Sequence, residues 1–385
     1  MKIAFVLEKF LPSRGGERYF LFLVGELLKR GHQVHVCASQ IEDTEGPIVY
    51  HQIPVAKLTR SLRMFTFMRN ADSLIQRENF DVVHGVGQNL ALTVLNPHGG
   101  VEKAYLKGEF ASIGFSPYYL YKLFKRYLSI RHYLELWIQR RLYTGAVVKE
   151  IIAVSPMVKR EIVSYYKVPE AKITVILNCV DIGRFHPDNR GRWRAAMRSR
   201  LAIEEEETVL FFVSKNYRLK GLHPLIAAVG LLKRQFPDWR VRLLVAGRGQ
   251  ISRYRVLAWR FNAGDRILFL GPIANAERFY GASDIYVHPT FYDSFALTVL
   301  EALATGLPVV TSRFAGAAEV LVKGVSGQVI QNPADVPALA AAIRYFGDRE
   351  KRDRAVAVAR ATAERYSPEY NIEETLKVYR RVTGE

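Results

Sequence analysis

The chain has 385 residues, 49% of them hydrophobic and 24% charged, a length and balance that suit two globular domains and exclude a small disulfide scaffold, a disordered chain and a membrane-spanning one. Fifty-five Lys+Arg against 37 Asp+Glu give a net charge of +18, which calls for an anionic partner but leaves nucleic acid, an acidic membrane face and a phosphorylated substrate all open. The two cysteines, Cys37 and Cys179, fit neither a paired framework nor a metal-ligand spacing and are expected as buried or semi-buried thiols.

In MKIAFVLEKF, Glu8 and Lys9 follow a short apolar run, too soon for a secretory segment, so the chain is expected in the cytoplasm. The run KIAFVLEKF reads as a strand ended by Pro12. A small-residue turn, Ser13 to Gly16, leads into ERYFLFLVGELLKRGH, whose apolar positions recur at helical spacing, and QVHVCAS forms the next strand. This is a βαβ unit with glycines where its helix begins. Further short strands are expected at DVVHGVG from Asp81, LALTVLN from Leu90, EIIAVSP from Glu150 and ITVILN from Ile173. A polar, arginine-rich passage, Asp181 to Arg200, precedes a second series. It comprises strand 209–214, helix 221–235, strands 241–247, 266–271 and 284–289, helix 295–305 and strand 308–312. The acidic run Glu204–Glu207 reads as a solvated helix-to-strand connection. The expectation is an α/β chain with two doubly wound Rossmann-like domains, 1–185 and 186–365, facing across a cleft, with a C-terminal helix at 366–385 packing back on the first. In such sheets ligands bind at the carboxyl ends of the strands.

Three places carry chemistry. Gly15-Gly16 after the first strand permits close backbone approach, and the helix behind it aims amide groups at the same spot, a seat for phosphate; a plain turn reads equally well. Neither the G-x-G-x-x-G fingerprint nor a Walker A loop is present here, which counts against nicotinamide or ATP chemistry. Lys215-Asn-Tyr-Arg218-Leu-Lys220-Gly221 places three cations at a strand end, where they repel unless an anion fills the gap or the loop is merely solvated. In HPTFYDSFALTVLEALATGLPVV, from His288, Asp293 ends a loop, Ser294 is placed to cap the next helix, and that helix carries Glu301. Eight helical residues would set the two carboxylates about 12 Å apart along the axis, too far to act on one bond and suited to gripping two ends of an extended ligand.

The segment DSFALTVLEALATGLPV resembles the E-x7-E signature of the retaining GT-B glycosyltransferases of family 4. VILNCVDIGRFHP, KNYRLKG, LLVAGRG, FLGPIANAERFYGASDIYVHP, FAGAAEV and GVSGQVI follow in that family's order along nearly the whole chain. NPHGGVEKAYL adds a likeness to the bacterial lipopolysaccharide core glucosyltransferases. The resemblance implies that Lys220 and Lys215, with Arg218, bind a diphosphate, that Glu301 binds ribose hydroxyls, and that Asp293 meets the donor sugar. Ser294, Phe295, Ala296 and Leu297 would line the diphosphate, Gly271, Pro272 and Ile273 would face the base, and His98 would lie near the reaction centre. Asp293 is shorter than the family's glutamate, Ala296 replaces a glycine, and Cys179 replaces the glycine of an N-G-V-D turn.

The implied reaction transfers a hexose with retention from a nucleotide-diphosphate sugar to an anionic glycolipid. The sequence has no D-x-D at a strand end and no His/Glu cluster, so no metal and no cofactor are expected. Residues 115–145 hold nine Phe, Tyr or Trp, six Lys or Arg and one acid, Glu135. This mixture reads either as a surface docking on the anionic inner leaflet, making the protein peripheral there, or as core-facing helix with a basic outer side. No zinc finger, RNP-like strand or basic zipper supports a nucleic-acid partner. A GDP-mannose-dependent mannosyltransferase and an inactive membrane-bound binding subunit stay open as alternatives.

Overall fold

A computed structural model of the chain describes residues 1–11, 18–42, 44 and 46–385. Gly15 and Gly16 therefore lie outside the described residues. The chain divides into two compact units: Met1–Ala104 with Phe115–Asn178 and Asn371–Glu385, and Tyr105–Gly114 with Cys179–Tyr370. In this division the second unit takes up the main chain at Cys179. Residues 180–185 are tied to the second unit, by the Val180 N–H donating to the Tyr366 carbonyl at 3.2 Å and by Phe185 meeting Tyr280 edge-on.

The first unit contains β1 (Lys2–Phe10), α1 (Arg18–Lys29), β2 (Gln33–Ile41), β3 (Val49–Gln52), α2 (Arg60–Glu78), β4 (Val82–Gly85) and β5 (Val94–Leu95). It continues with α4 (Pro117–Tyr127), α5 (Ile130–Thr144), β6 (Glu150–Ala153), α6 (Pro156–Tyr166) and β7 (Ile173–Val175). Between β5 and α4 runs α3 (Glu102–Ala111), which passes from the first unit into the second. The strands pair in parallel in the order β3-β2-β1-β4-β5-β6-β7. Ile3, Phe5 and Leu7 alternate along β1 into a core shared with Leu23 and Leu27. Ala4 and Val6, between them, are buried as well, so β1 presents a covered side chain on each face of the sheet.

The second unit runs α7 (Asp188–Arg200), β8 (Thr208–Ser214), α8 (Leu222–Gln235), β9 (Val241–Gly247), α9 (Ile251–Arg260), β10 (Ile267–Gly271), α10 (Ala276–Ala282) and β11 (Ile285–His288). Next come α11 (Leu297–Ala304), β12 (Val309–Ser312), β13 (Gly327–Ile330), α12 (Val336–Tyr345) and α13 (Arg349–Glu364). The last helix, α14 (Pro368–Thr383), returns to the first unit from Asn371, burying Ile372, Leu376, Tyr379 and Val382 in that core. The second sheet is also parallel, in the order β10-β9-β8-β11-β12-β13. Both sheets grow in two directions from a first strand, so each has a switch point where two adjacent strands send their chains to opposite faces. In the second sheet that point lies between β8 and β11.

Two polar passages differ from their sequence reading. The arginine-rich stretch is largely helix α7, and Arg194 and Arg198 converge on the buried Asp284 at 3.0 and 2.6 Å, with Arg190 at 3.2 Å. Burial would raise the Asp284 carboxyl, but these guanidiniums outweigh it and hold it below the usual range. Part of the basic charge is thereby consumed internally. In the acidic run, Glu207 is buried and accepts from Arg242 at 2.7 Å, so the connection is solvated only over Glu204–Glu206.

Candidate active site

At the carboxyl end of β8, the loop 215–221 alternates anchors and cations. Tyr217 and Leu219 are buried, and the Tyr217 hydroxyl donates to the Gly247 carbonyl at 3.0 Å. Lys215, before them, is exposed, and Arg218, between them, is half-buried. Burying Tyr217 and Leu219 turns the intervening Arg218 away from the core. The loop is also stitched to the one after β11: the Phe291 N–H donates to the Leu219 carbonyl at 2.8 Å, and the Thr290 hydroxyl reaches it at 3.2 Å. Gly221 makes this approach possible. Its φ is +79°, and a Cβ there would sit 2.0 Å from the Pro289 carbonyl oxygen, where no side chain fits.

The two loops bring Lys220 and Asp293 into contact. Lys220 Nζ donates to an Asp293 carboxylate oxygen at 2.6 Å and to the Tyr292 carbonyl at 2.9 Å. His288 Nε2 lies 3.1 Å from that carboxylate oxygen, and its Nδ1 is 3.4 Å from the Tyr286 hydroxyl. Burial would raise the Asp293 carboxyl, but the Lys220 ammonium and the His288 hydrogen bond prevail and keep it well below the carboxylate range. Burial lowers His288, so the ring is neutral, donates from Nε2 and accepts the tyrosine hydroxyl at Nδ1. One of the three loop cations is therefore already matched inside the protein, rather than waiting on an anion as the charge spacing suggested.

Asp293 is held at a further point: its N–H donates to the Phe314 carbonyl at 2.8 Å, and its carbonyl accepts from Gly316 at 2.9 Å. Helix α11 begins only at Leu297. Ser294 is not its cap; that position is Ala296, in the left-handed conformation with φ 73°, ψ 72° and no capping side chain. The interval from Asp293 to Glu301 is thus loop followed by helix, and the 12 Å axial spacing does not apply. Ala296 adopts a backbone conformation that favours glycine, at a cost of about 1–2 kcal/mol for an L-residue there. Phe295 is buried, and its carbonyl accepts from Ala317 at 2.7 Å. Glu301, half-buried on α11, accepts from the Tyr280 hydroxyl at 2.9 Å. Burial and the Glu301 charge push that phenol well up, so it stays a donor. Tyr280 and His288, which orient the two carboxylates, were not singled out from sequence. Gly271 ends β10 and Pro272 and Ile273 follow it, at the same carboxyl edge, toward the margin of the sheet.

In the first unit, His98 follows β5 on a tight turn in which its N–H donates to the Asn96 carbonyl at 2.9 Å. Its ring packs on Tyr19 and Phe20, at centroid distances of 4.4 and 5.0 Å, and burial pushes its pKa down to about 3. It is neutral at neutral pH. His84, on β4, is buried beside it and meets the Tyr379 hydroxyl of α14 at 2.6 Å.

The stretch 115–145 forms α4 and α5. Helix α4 has no buried residue, and Phe115 is 89% exposed, Tyr127 71% and Phe124 64%. The core-facing reading therefore fails for α4 and holds for α5 only at Ile138, Leu142 and Tyr143. No helix of the described residues is long and apolar enough to cross a membrane.

Comparison with known proteins places these features. The model of glycosyltransferase family 4 matches residues 13–184, and that of glycosyl transferases group 1 matches residues 194–364. An uncharacterized glycosyltransferase of Methanocaldococcus jannaschii is 26% identical, over 99% of this chain and 98% of its own. The lipopolysaccharide glucosyltransferase WaaG of Escherichia coli is 22% identical over 86% of each chain. A crystal structure of WaaG superposes with a TM-score of 0.81 at 20% identity over the whole of both chains. Anabaena HepE, solved in complex with UDP-glucose, superposes with a TM-score of 0.69 at 18% identity over 98% of this chain and 100% of its own. With a family 4 match on its first half, a group 1 match on its second and two parallel sheets on the WaaG pattern, the chain belongs to the GT-B glycosyltransferases and resembles the lipopolysaccharide core glucosyltransferases.

Proposed function

We propose that the protein moves a hexose, with retention of configuration, from a nucleotide-diphosphate sugar, UDP-glucose or a similar UDP-sugar, to an anionic glycolipid. The observation that carries this reading is the meeting of the Lys220 loop and the loop before α11 at the switch point of the second sheet, the place where parallel sheets take ligands. HepE, a similar fold, is described with UDP-glucose bound.

In this reading the bond between the anomeric carbon and the phosphate oxygen breaks, the departing diphosphate keeps the electron pair, and the acceptor oxygen bonds to the carbon on the same face. The acceptor proton passes to the leaving phosphate oxygen. Lys215, Arg218 and Lys220 face the growing negative charge, and the uncapped amino end of α11, with Ser294 to Leu297, adds backbone amides to it. This is the charge that a divalent ion would otherwise take. When a diphosphate enters, Lys220 trades the Asp293 carboxylate for phosphate oxygens, and Asp293 turns to a sugar hydroxyl. Glu301, oriented by Tyr280, accepts from the ribose hydroxyls, and Gly271–Ile273 present backbone to the base.

The exposed rings of α4 alternate with Lys122, Lys125 and Arg126, so we also assign this helix to docking on the anionic inner face of the cytoplasmic membrane, where rings sit at headgroup depth and cations meet phosphates. A thermal-shift panel of UDP-glucose, UDP-galactose, UDP-N-acetylglucosamine and GDP-mannose tests the donor assignment, because a ligand that binds only the folded state raises the melting temperature. One UDP-sugar is expected to shift it most, and an unmoved melting point across the panel refutes the reading. The anomer formed, read by NMR, decides retention.

A further inference from the structure

A second groove lies wholly within the first unit, remote in sequence from the loops above. It encloses about 570 Å³ between the start of α3, the last turns of α5 and the end of α6, and its lining includes Lys103, Trp137, Arg140, Tyr165, Tyr166 and Lys167. Three of these are cations and three are aromatic, and no carboxylate lines the groove. The aromatic wall is packed from behind. The Tyr166 ring stacks on the buried Tyr143 at 4.5 Å and its hydroxyl donates to Gln139 at 3.0 Å, while Arg141 braces Trp137 at 5.6 Å. Lys103 Nζ stands 5.2 Å from the Tyr166 centroid and 5.8 Å from that of Tyr165, so an ammonium and two ring faces border the same space. Lys167 caps α6 in the left-handed conformation, with φ 55°, which ends the helix at the groove.

We infer that this groove binds a phosphorylated saccharide. The volume fits one or two sugar rings. Ring faces of Trp137 and Tyr165 offer flat apolar surface to the C–H face of a pyranose, and Lys103, Arg140 and Lys167 offer charge-assisted hydrogen bonds to its phosphate. The bare aromatic wall would not select an anion, and the cations alone would not select a sugar; together they ask for both on one molecule.

The chemistry is shared by a free sugar phosphate and by a phosphorylated polyol carried on a lipid, and calorimetry on the full-length protein separates the two. The first arm compares glucose 6-phosphate with glucose and with inorganic phosphate. The second compares phosphatidylcholine vesicles carrying phosphatidylinositol 4-phosphate with vesicles of equal charge carrying phosphatidylglycerol. In whichever arm is the source, the phosphorylated ring compound binds more tightly than its controls, Trp137→Ala weakens it about fivefold or more, and Lys103→Gln weakens it as well. Lys220→Met leaves that binding unchanged, which separates this groove from the proposed donor site whether or not the donor reading holds. Binding no tighter than inorganic phosphate or phosphatidylglycerol, binding indifferent to both Trp137→Ala and Lys103→Gln, or binding lost in Lys220→Met overturns the inference.

Discussion

The contact between Lys220 and Asp293 makes a prediction that can be measured before any substrate is identified. At 2.6 Å, with side chains 19% and 18% exposed, an effective dielectric of about 20–40 gives an attraction of about 3–6 kcal/mol, and desolvation takes back about half. The coupling expected from a double-mutant cycle is therefore about 1.5–3 kcal/mol. In urea denaturation at pH 7, Lys220→Met should cost the larger amount, because it leaves the Asp293 carboxylate with only the neutral His288 as side-chain support. Asp293→Asn should cost less, since the amide oxygen still accepts from Lys220, and the double variant should cost little more than Lys220→Met alone. Additivity within about 0.5 kcal/mol would show that the two groups do not interact and would refute the geometry on which the site is built. The same cycle followed with pH has a definite sign. The folded carboxyl titrates below its unfolded value of 3.8, so its contribution is present above that value and lost as pH falls through the folded pKa. Asp293→Asn should remove that acid-side loss.

Four further outcomes follow from single positions. His84 is pushed down to about 3 by burial and by His98, so the unfolded chain binds a proton that the folded one refuses. Stability should then fall as pH drops from about 6.5 toward 3, by about 1.4 kcal/mol per unit for this one group. His84→Gln should flatten the pH profile by that much, and an unchanged slope contradicts the assignment. Ala296→Gly should stabilise the protein by about 0.5–1 kcal/mol by relieving the left-handed backbone, read as a higher melting temperature. Gly221→Ala should cost about 3 kcal/mol or more, since its methyl would meet the Pro289 carbonyl; a soluble variant with wild-type stability would exclude the loop arrangement. Tyr127→Ser on α4 should change stability by less than about 0.5 kcal/mol while weakening sedimentation with phosphatidylglycerol vesicles.

Much of this was legible in the residues because parallel sheets write themselves plainly. Runs such as VLFFVS and VRLLVAG are apolar on both faces since helices cover both, and the site loops sit where those runs stop. What escaped had local causes. Strand β3 is four residues, Val49–Gln52, on the sheet margin, half polar and too short to show a period. Helix α7 hid among arginines because its buried face is ionic: Arg198 and Arg194 point at Asp284, a partner about ninety residues away. Ser294 looked like a cap because Ser is a good one, yet the chain keeps a left-handed residue at Ala296 and starts the helix after it. The pairing of Lys220 with Asp293 spans 73 residues and two loops, and nothing local in either segment announces it. The roles of His288 and Tyr280 were hidden for the same reason: each acts through a carboxylate brought near only by the fold.

The direct test of the account is a crystal structure of the protein with UDP. The diphosphate is expected at the amino end of α11, with Lys220 Nζ within about 3 Å of a phosphate oxygen and no longer on Asp293, and with the ribose hydroxyls on Glu301. UDP seated elsewhere, or bound with the 2.6 Å Lys220–Asp293 contact intact and no phosphate on Lys220, would contradict it.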